Sequence, residues 1–146
     1  MTRLCIWSSA ILLLPLIMVG CRNQNLPQTI PFSGKVYYNG KPLEYGEMTF
    51  EVVNPAPGFP SRPAIASIQP DGQYKLSTFV ADDGIVPGEY RVRILCFKGN
   101  PSFDVPASQL VWAIPQKYGS SETSGLEVIV SPEQRGPIVK DLHLTD

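Results

Sequence analysis

The sequence has little histidine and little cysteine: one His and three Cys among 146 residues. A zinc cluster built from several Cys and His is therefore excluded. Charge is sparse as well. Charged residues make up 17% of the chain, with 12 Lys and Arg against 13 Asp and Glu. No basic run breaks that balance, so the chain carries no electrostatic footprint for nucleic acid. Helical periodicity is also missing, since no long segment carries apolar residues at helical spacing. Punctuation is what abounds. Fifteen prolines and 12 glycines are spread along the chain. They leave room for short strands and turns rather than long helices. A hydrophobic fraction of 43% argues against wholesale disorder. The length suffices for one two-layer core and not for two.

At the N-terminus, Arg3 precedes an apolar run from Leu4 to Val19. A positive residue before a short apolar stretch is the pattern of a signal peptide, here residues 1–20. Pro15 and the Ser8-Ser9 pair weaken the run as a membrane span, which wants about 20 apolar residues. The run ends in Met18-Val19-Gly20-Cys21, which resembles the lipobox of bacterial lipoproteins. Met18 stands where Leu is usual. The resemblance implies cleavage before Cys21 and a thioether from its thiol to diacylglycerol. N-acylation with a palmitate-type chain would then make a stable membrane anchor, because each buried CH2 contributes about 0.8 kcal/mol. Residues 21–30 then read as the lipidated Cys and a polar tether. Arg22 is not the Asp of an inner-membrane retention signal, which favours the outer membrane; the expected location is lipid-anchored, on the periplasmic or outer-membrane side. An uncleaved anchor and a plain secretory signal are the alternatives.

Cysteine usage agrees with export and anchoring. Cys5 lies in the leader and Cys21 is the lipid site, so Cys96 has no intramolecular disulfide partner in the mature chain. Cys96 shares one strand face with Tyr90, Val92 and Ile94 by period-two alternation, which predicts a small buried apolar residue.

Residues 31–146 read as strand and turn throughout. Strands are expected at Phe32 to Tyr38, Glu47 to Val53, Ala64 to Ile68, Gln73 to Phe79, Glu89 to Phe97, Leu126 to Val130 and Ile138 to Leu144. Asn39-Gly40 is a hairpin signal, because both residues accept positive φ. Pro70-Asp71-Gly72 is a turn in which Pro presets φ and Asp bonds its own backbone. Lys98 to Val111 is long for a loop, so it is either a functional insertion or locally mobile, with room for one helical turn near Ser102 to Leu110. Seven regularly spaced strands predict an all-β, antiparallel seven-stranded β-sandwich.

Several of these words also resemble a family. Gly34-Lys35-Val36 followed by Asn39-Gly40-Lys41-Pro42-Leu43 is similar to the opening of carboxypeptidase regulatory-like and transthyretin-like domains. Pro70-Asp71-Gly72-Gln73-Tyr74 and Pro87-Gly88-Glu89-Tyr90-Arg91-Val92 resemble their later turns. Ile114-Pro115-Gln116-Lys117-Tyr118 and Thr123-Ser124-Gly125-Leu126 resemble the tail of small bacterial lipoproteins carrying this domain. Pro70 departs from the Asp common there, which sets aside a metal-binding version of that turn. The resemblance implies a transthyretin-like sandwich at a cell surface and implies no catalysis.

Candidate sites are few. His143 alternates with Leu142 and Leu144, which predicts a solvent-facing side chain rather than a catalytic base. Asp82 and Asp83, with Asp71 and Glu89, offer hard oxygens for calcium, although adjacent Asp residues before a Gly also cap turns. Tyr38, Tyr45, Trp112 and Tyr118 are candidate rings for stacking on a sugar face. The sequence therefore predicts a non-catalytic module of the bacterial cell envelope, without a cofactor. Its membrane contact would be the lipid on Cys21, and its partner an envelope protein or a glycan. A carbohydrate or small-ligand carrier is the alternative, and a hydrolase shaped by the 98–111 loop comes last.

Overall fold

The architecture comes from a computed structural model, which describes residues 26–99 and 104–146. The signal segment 1–20, Cys21 and the tether up to Asn25 lie outside the described residues. Among the described residues, nine strands follow one another: β1 (Phe32–Tyr38), β2 (Lys41–Pro42), β3 (Glu47–Pro55), β4 (Ala64–Ser67), β5 (Gln73–Lys75), β6 (Gly88–Leu95), β7 (Glu127–Val130), β8 (Ile138–Val139) and β9 (Leu142–Leu144). Two single 3-10 turns, Ala107–Gln109 and Gln116–Gly119, are the only helical pieces among the described residues. The expected all-β class is what the chain adopts.

The strands form two sheets. One runs β4-β3-β6-β7, and the other centres on β1. β2 and β5 pair with β1 antiparallel. β8 and β9 pair with it in parallel. The parallel pairs correct the expectation of an antiparallel arrangement throughout. Alternation in the sequence fixes which side chains face inward, but it carries no information about strand direction. The last strand is also broken in two. At the break, Asp141 Oδ1 accepts the Lys35 backbone N–H at 2.8 Å, and the Tyr74 hydroxyl donates to the Lys140 carbonyl at 2.6 Å. Gly34 makes this approach possible, because a Cβ there would collide with the Lys140 carbonyl.

Apolar side chains from both sheets meet between them. Phe32 and Tyr74 come from one sheet, Phe50 and Tyr90 from the other, and all four are buried. The Phe32 and Phe50 rings lie edge to face at 5.6 Å, with Phe50 6.3 Å from Tyr74 and 6.5 Å from Tyr90. Each such side chain contributes about 1.5–3 kcal/mol through burial. Val92, Ile94 and Cys96 extend the buried face of β6, as alternation predicts. The Asn39-Gly40 turn adopts φ of 48° and 79°, the left-handed pair that a tight hairpin needs. Ile30, which falls at the end of the expected tether, already belongs to the fold. It is buried and exchanges backbone bonds with Ile85 at 2.8 and 2.9 Å.

Candidate functional site

The aromatic candidates gather where β1 and β9 end and β3 begins. Parallel pairing carries the chain past Leu144 beside Tyr38. The Tyr38 hydroxyl donates to Asp146 Oδ1 at 2.6 Å, and Asn39 Nδ2 donates to Oδ2 at 3.1 Å. These bonds hold the Asp146 side-chain carboxyl below the usual carboxylate range, and the Asp146 carboxylate raises the Tyr38 phenol.

Tyr118 sits on the second 3-10 turn and is buried. Its hydroxyl donates to the Thr145 carbonyl and accepts the Thr145 N–H, both at 3.0 Å. With its ring inward and its hydroxyl doubly used, Tyr118 is a structural post rather than a stacking surface. Lys117 stays exposed, with its ammonium 5.1 Å from the Tyr118 ring centre.

Trp112 is half-buried. Its ring lies 4.6 Å from that of Phe97, and it fills the space where a Cβ on Gly119 would stand. The same two residues close the neck of the long loop. Lys98 N–H donates to the Val111 carbonyl at 2.7 Å, and Ala113 N–H donates to the Cys96 carbonyl at 2.9 Å. The expected helical turn is present as Ala107–Gln109; Ser102 lies outside the described residues. Tyr45 is half-buried against the core, and its carbonyl accepts the Cys96 thiol at 3.2 Å. Burial pushes the Cys96 thiol up to about 11, so at neutral pH it is a protonated, inert group.

The four candidates thus lie toward one end of the sandwich, with no ring contact between any two of them among those observed. They do not form a flat platform, and only Tyr38, Tyr45 and Trp112 keep partly open surfaces. Two features of this end escape sequence reading. Phe97 backs Trp112, and the Tyr37 ring stacks on exposed His143 at 5.0 Å with an interplanar angle of 7°. The Tyr37–His143 stack follows from the parallel register, which the alternation pattern does not specify.

The acidic candidates separate. Asp83 Oδ1 accepts the Thr78 N–H at 2.7 Å, while Oδ2 accepts the Phe79 and Val80 N–H groups at 3.0 and 3.2 Å. Its carboxylate closes the chain reversal that follows β5. Asp82 points elsewhere, 3.8 Å from the Lys75 ammonium, with its backbone at φ 58°. Asp71 bonds the Gln73 N–H at 3.1 Å within its own turn. Among the described residues, no group of three or more His, Cys, Asp or Glu stands close enough to hold a metal ion. Asp83 thus caps a turn, and Asp82 belongs to a neighbouring ion pair. Among the described residues, no helix is long and apolar enough to cross a membrane. Compared with protein-family models, curated proteins and solved structures, the chain matches none.

Proposed function

We propose that this chain is a membrane-anchored, non-catalytic β-sandwich module of the bacterial cell envelope. A signal at 1–20 exports it, and a lipid on Cys21 holds it at the membrane, on the periplasmic or outer-membrane side. The observation that carries the reading is the lipobox-like Met18-Val19-Gly20-Cys21 closing an apolar run, a few residues ahead of the folded domain. Among the described residues, Ile30 is the first that bridges to another segment, pairing with Ile85. The intervening segment reaches at most about 30 Å when fully extended, which keeps the sandwich near the bilayer surface.

The non-catalytic part is supported by what the reactive groups are doing. Cys96 is buried and protonated, Asp83 is consumed by three backbone N–H groups, and exposed His143 stacks on Tyr37. We also read the fold as a transthyretin-like, carboxypeptidase regulatory-like sandwich. Counting β8 and β9 as one interrupted strand, and β2 as the return of the Asn39-Gly40 turn, leaves the seven strands of that organisation. A carbohydrate-binding form of the same module is favoured by the partly open rings of Tyr38, Tyr45 and Trp112.

The test is metabolic labelling with a clickable fatty acid, comparing the parent with Cys21→Ala. Label in the parent that is lost from the variant supports the anchor, and crosslinking then seeks the envelope partner. Absence of label from both overturns it and leaves an exported soluble protein or an uncleaved single-span anchor.

A further inference from the structure

β4 leads into β5 through the Pro70-Asp71-Gly72 turn, and the two strands belong to different sheets. Their hairpin is bonded at both ends. Near the turn, the Gln69 N–H donates to the Gln73 carbonyl at 2.8 Å. Farther out, Ile65 and Ser77 exchange bonds at 2.9 and 2.8 Å. The same register would pair Ser67 with Lys75, but no bridge joins them. The strands splay there, because β4 follows β3 while β5 follows β1.

The backbone groups left in the gap can be counted. Ala66 pairs with Met48, and the Ile68 N–H donates to the Gly46 carbonyl, so the alternation turns the Ser67 N–H and C=O away from β3. The Leu76 N–H donates to the Phe32 carbonyl, so Lys75 likewise turns its backbone groups away from β1. Two donors and two acceptors thus face one another across the gap without a partner among the described residues.

A groove of about 510 Å³ opens over this gap. Its walls carry the Gln69 and Gln73 amides and the Ser67 and Ser77 hydroxyls. Glu47 and Asp82 add carboxylates, Lys75 adds an ammonium, and Ile65, 57% exposed, adds one apolar surface. We propose that this groove binds a neutral oligosaccharide segment of two or three rings through the unpaired backbone groups of Ser67 and Lys75.

The chemistry selects that class of ligand over others. An apolar ligand would leave the four backbone groups desolvated and unpaired, which opposes its binding. An anion meets two carboxylates, and the one ammonium is already paired with Asp82 at 3.8 Å. An extended peptide cannot lie along the gap, because bonded pairs close it on both sides. Sugar hydroxyls donate and accept at once, which matches the mixed backbone groups and the flanking amides. The C–H face of a pyranose suits the exposed Ile65 side chain.

This proposal rests on the carbohydrate-binding form of the reading above. Its test uses the isotope-labelled full chain in detergent, titrated with cellobiose, maltose and N,N′-diacetylchitobiose to about 10 mM. Saturable shifts of the Ser67 and Lys75 amides are expected with at least one of the three. Ser67→Trp, placed on the open side of the groove, should weaken that binding by about tenfold or more. The paired substitutions Gln69→Ala and Gln73→Ala should do the same if the tryptophan disturbs folding. No saturable shift at Ser67 and Lys75 with any of the sugars overturns the proposal, as does binding untouched by both variants. Shifts confined to Phe97 and Trp112 overturn the groove while supporting carbohydrate binding at the aromatic end. Absence of fatty-acid label on Cys21 would leave groove binding intact, so the two failures are distinct.

Discussion

Asp83 carries more of the local structure than any other acidic side chain among the described residues. Its two oxygens take three successive backbone N–H groups, from Thr78 to Val80. Asp83→Ala strands those donors and is expected to lower the unfolding free energy by about 2–3 kcal/mol. Asp82→Gly should stay within about 0.5 kcal/mol of the parent, because its ion pair is exposed and its φ of 58° suits glycine. Urea unfolding of both variants, with and without calcium, checks this. Calcium that stabilises the parent but neither variant would instead favour a shared metal site.

At the same scale, burial raises the Cys96 thiol from 9.0 to about 11 and the Tyr90 phenol from 10.0 to about 12. In both cases the folded protein favours the protonated form. The resulting stability is therefore full below the unfolded pKa and falls as pH rises toward the folded one. Decline is expected between about pH 9 and 11 from Cys96, and between about pH 10 and 12 from Tyr90. Cys96→Ala should remove the earlier window. Urea midpoints measured from pH 7 to 11 read it directly, and an unchanged onset in the variant would show that another group sets it.

Among the elements, the crossing of β1 with the broken last strand leaves no room for a larger residue. Gly34 lies against the Lys140 carbonyl, and the Tyr74 ring stands beside it. Gly34→Ala is expected to cost about 2–4 kcal/mol. It should also speed hydrogen exchange at Ile138 and Lys140, whose N–H groups bond the Pro31 and Ser33 carbonyls. Native exchange rates at those two amides would mean that the crossing relaxes without opening. Element by element, much of this was legible. The inward set of β6 follows from strict alternation, and the Asn39-Gly40 turn follows from its two residue types. The parallel direction of β8 and β9 was not legible, because side-chain period is indifferent to polarity. The packing of Tyr118 with Lys117 left in solvent was legible, but its hydroxyl partner Thr145, far along the chain, was not.

For the whole molecule, the four-ring cluster makes the two sheets one cooperative unit. Phe50 touches Phe32 and Tyr74 across the interior and Tyr90 within its own sheet. Phe50→Ala is expected to cost about 3–5 kcal/mol. In the parent, circular dichroism and tyrosine fluorescence should report a single coincident urea transition. Separate transitions would show that the sheets unfold independently.

The sequence by itself determined the all-β class, the main turns, the buried face of each long strand and the candidate lipid cysteine. These are local properties, set by φ preferences, period-two alternation and an apolar run closed by small residues. Only the tertiary structure decided which strands pair in parallel, which carboxylate caps the turn and which aromatic rings stay open. It also decided where a hairpin shared between two sheets must splay. Those outcomes depend on contacts between residues far apart in the chain, and such contacts leave no periodic trace in the sequence of either partner.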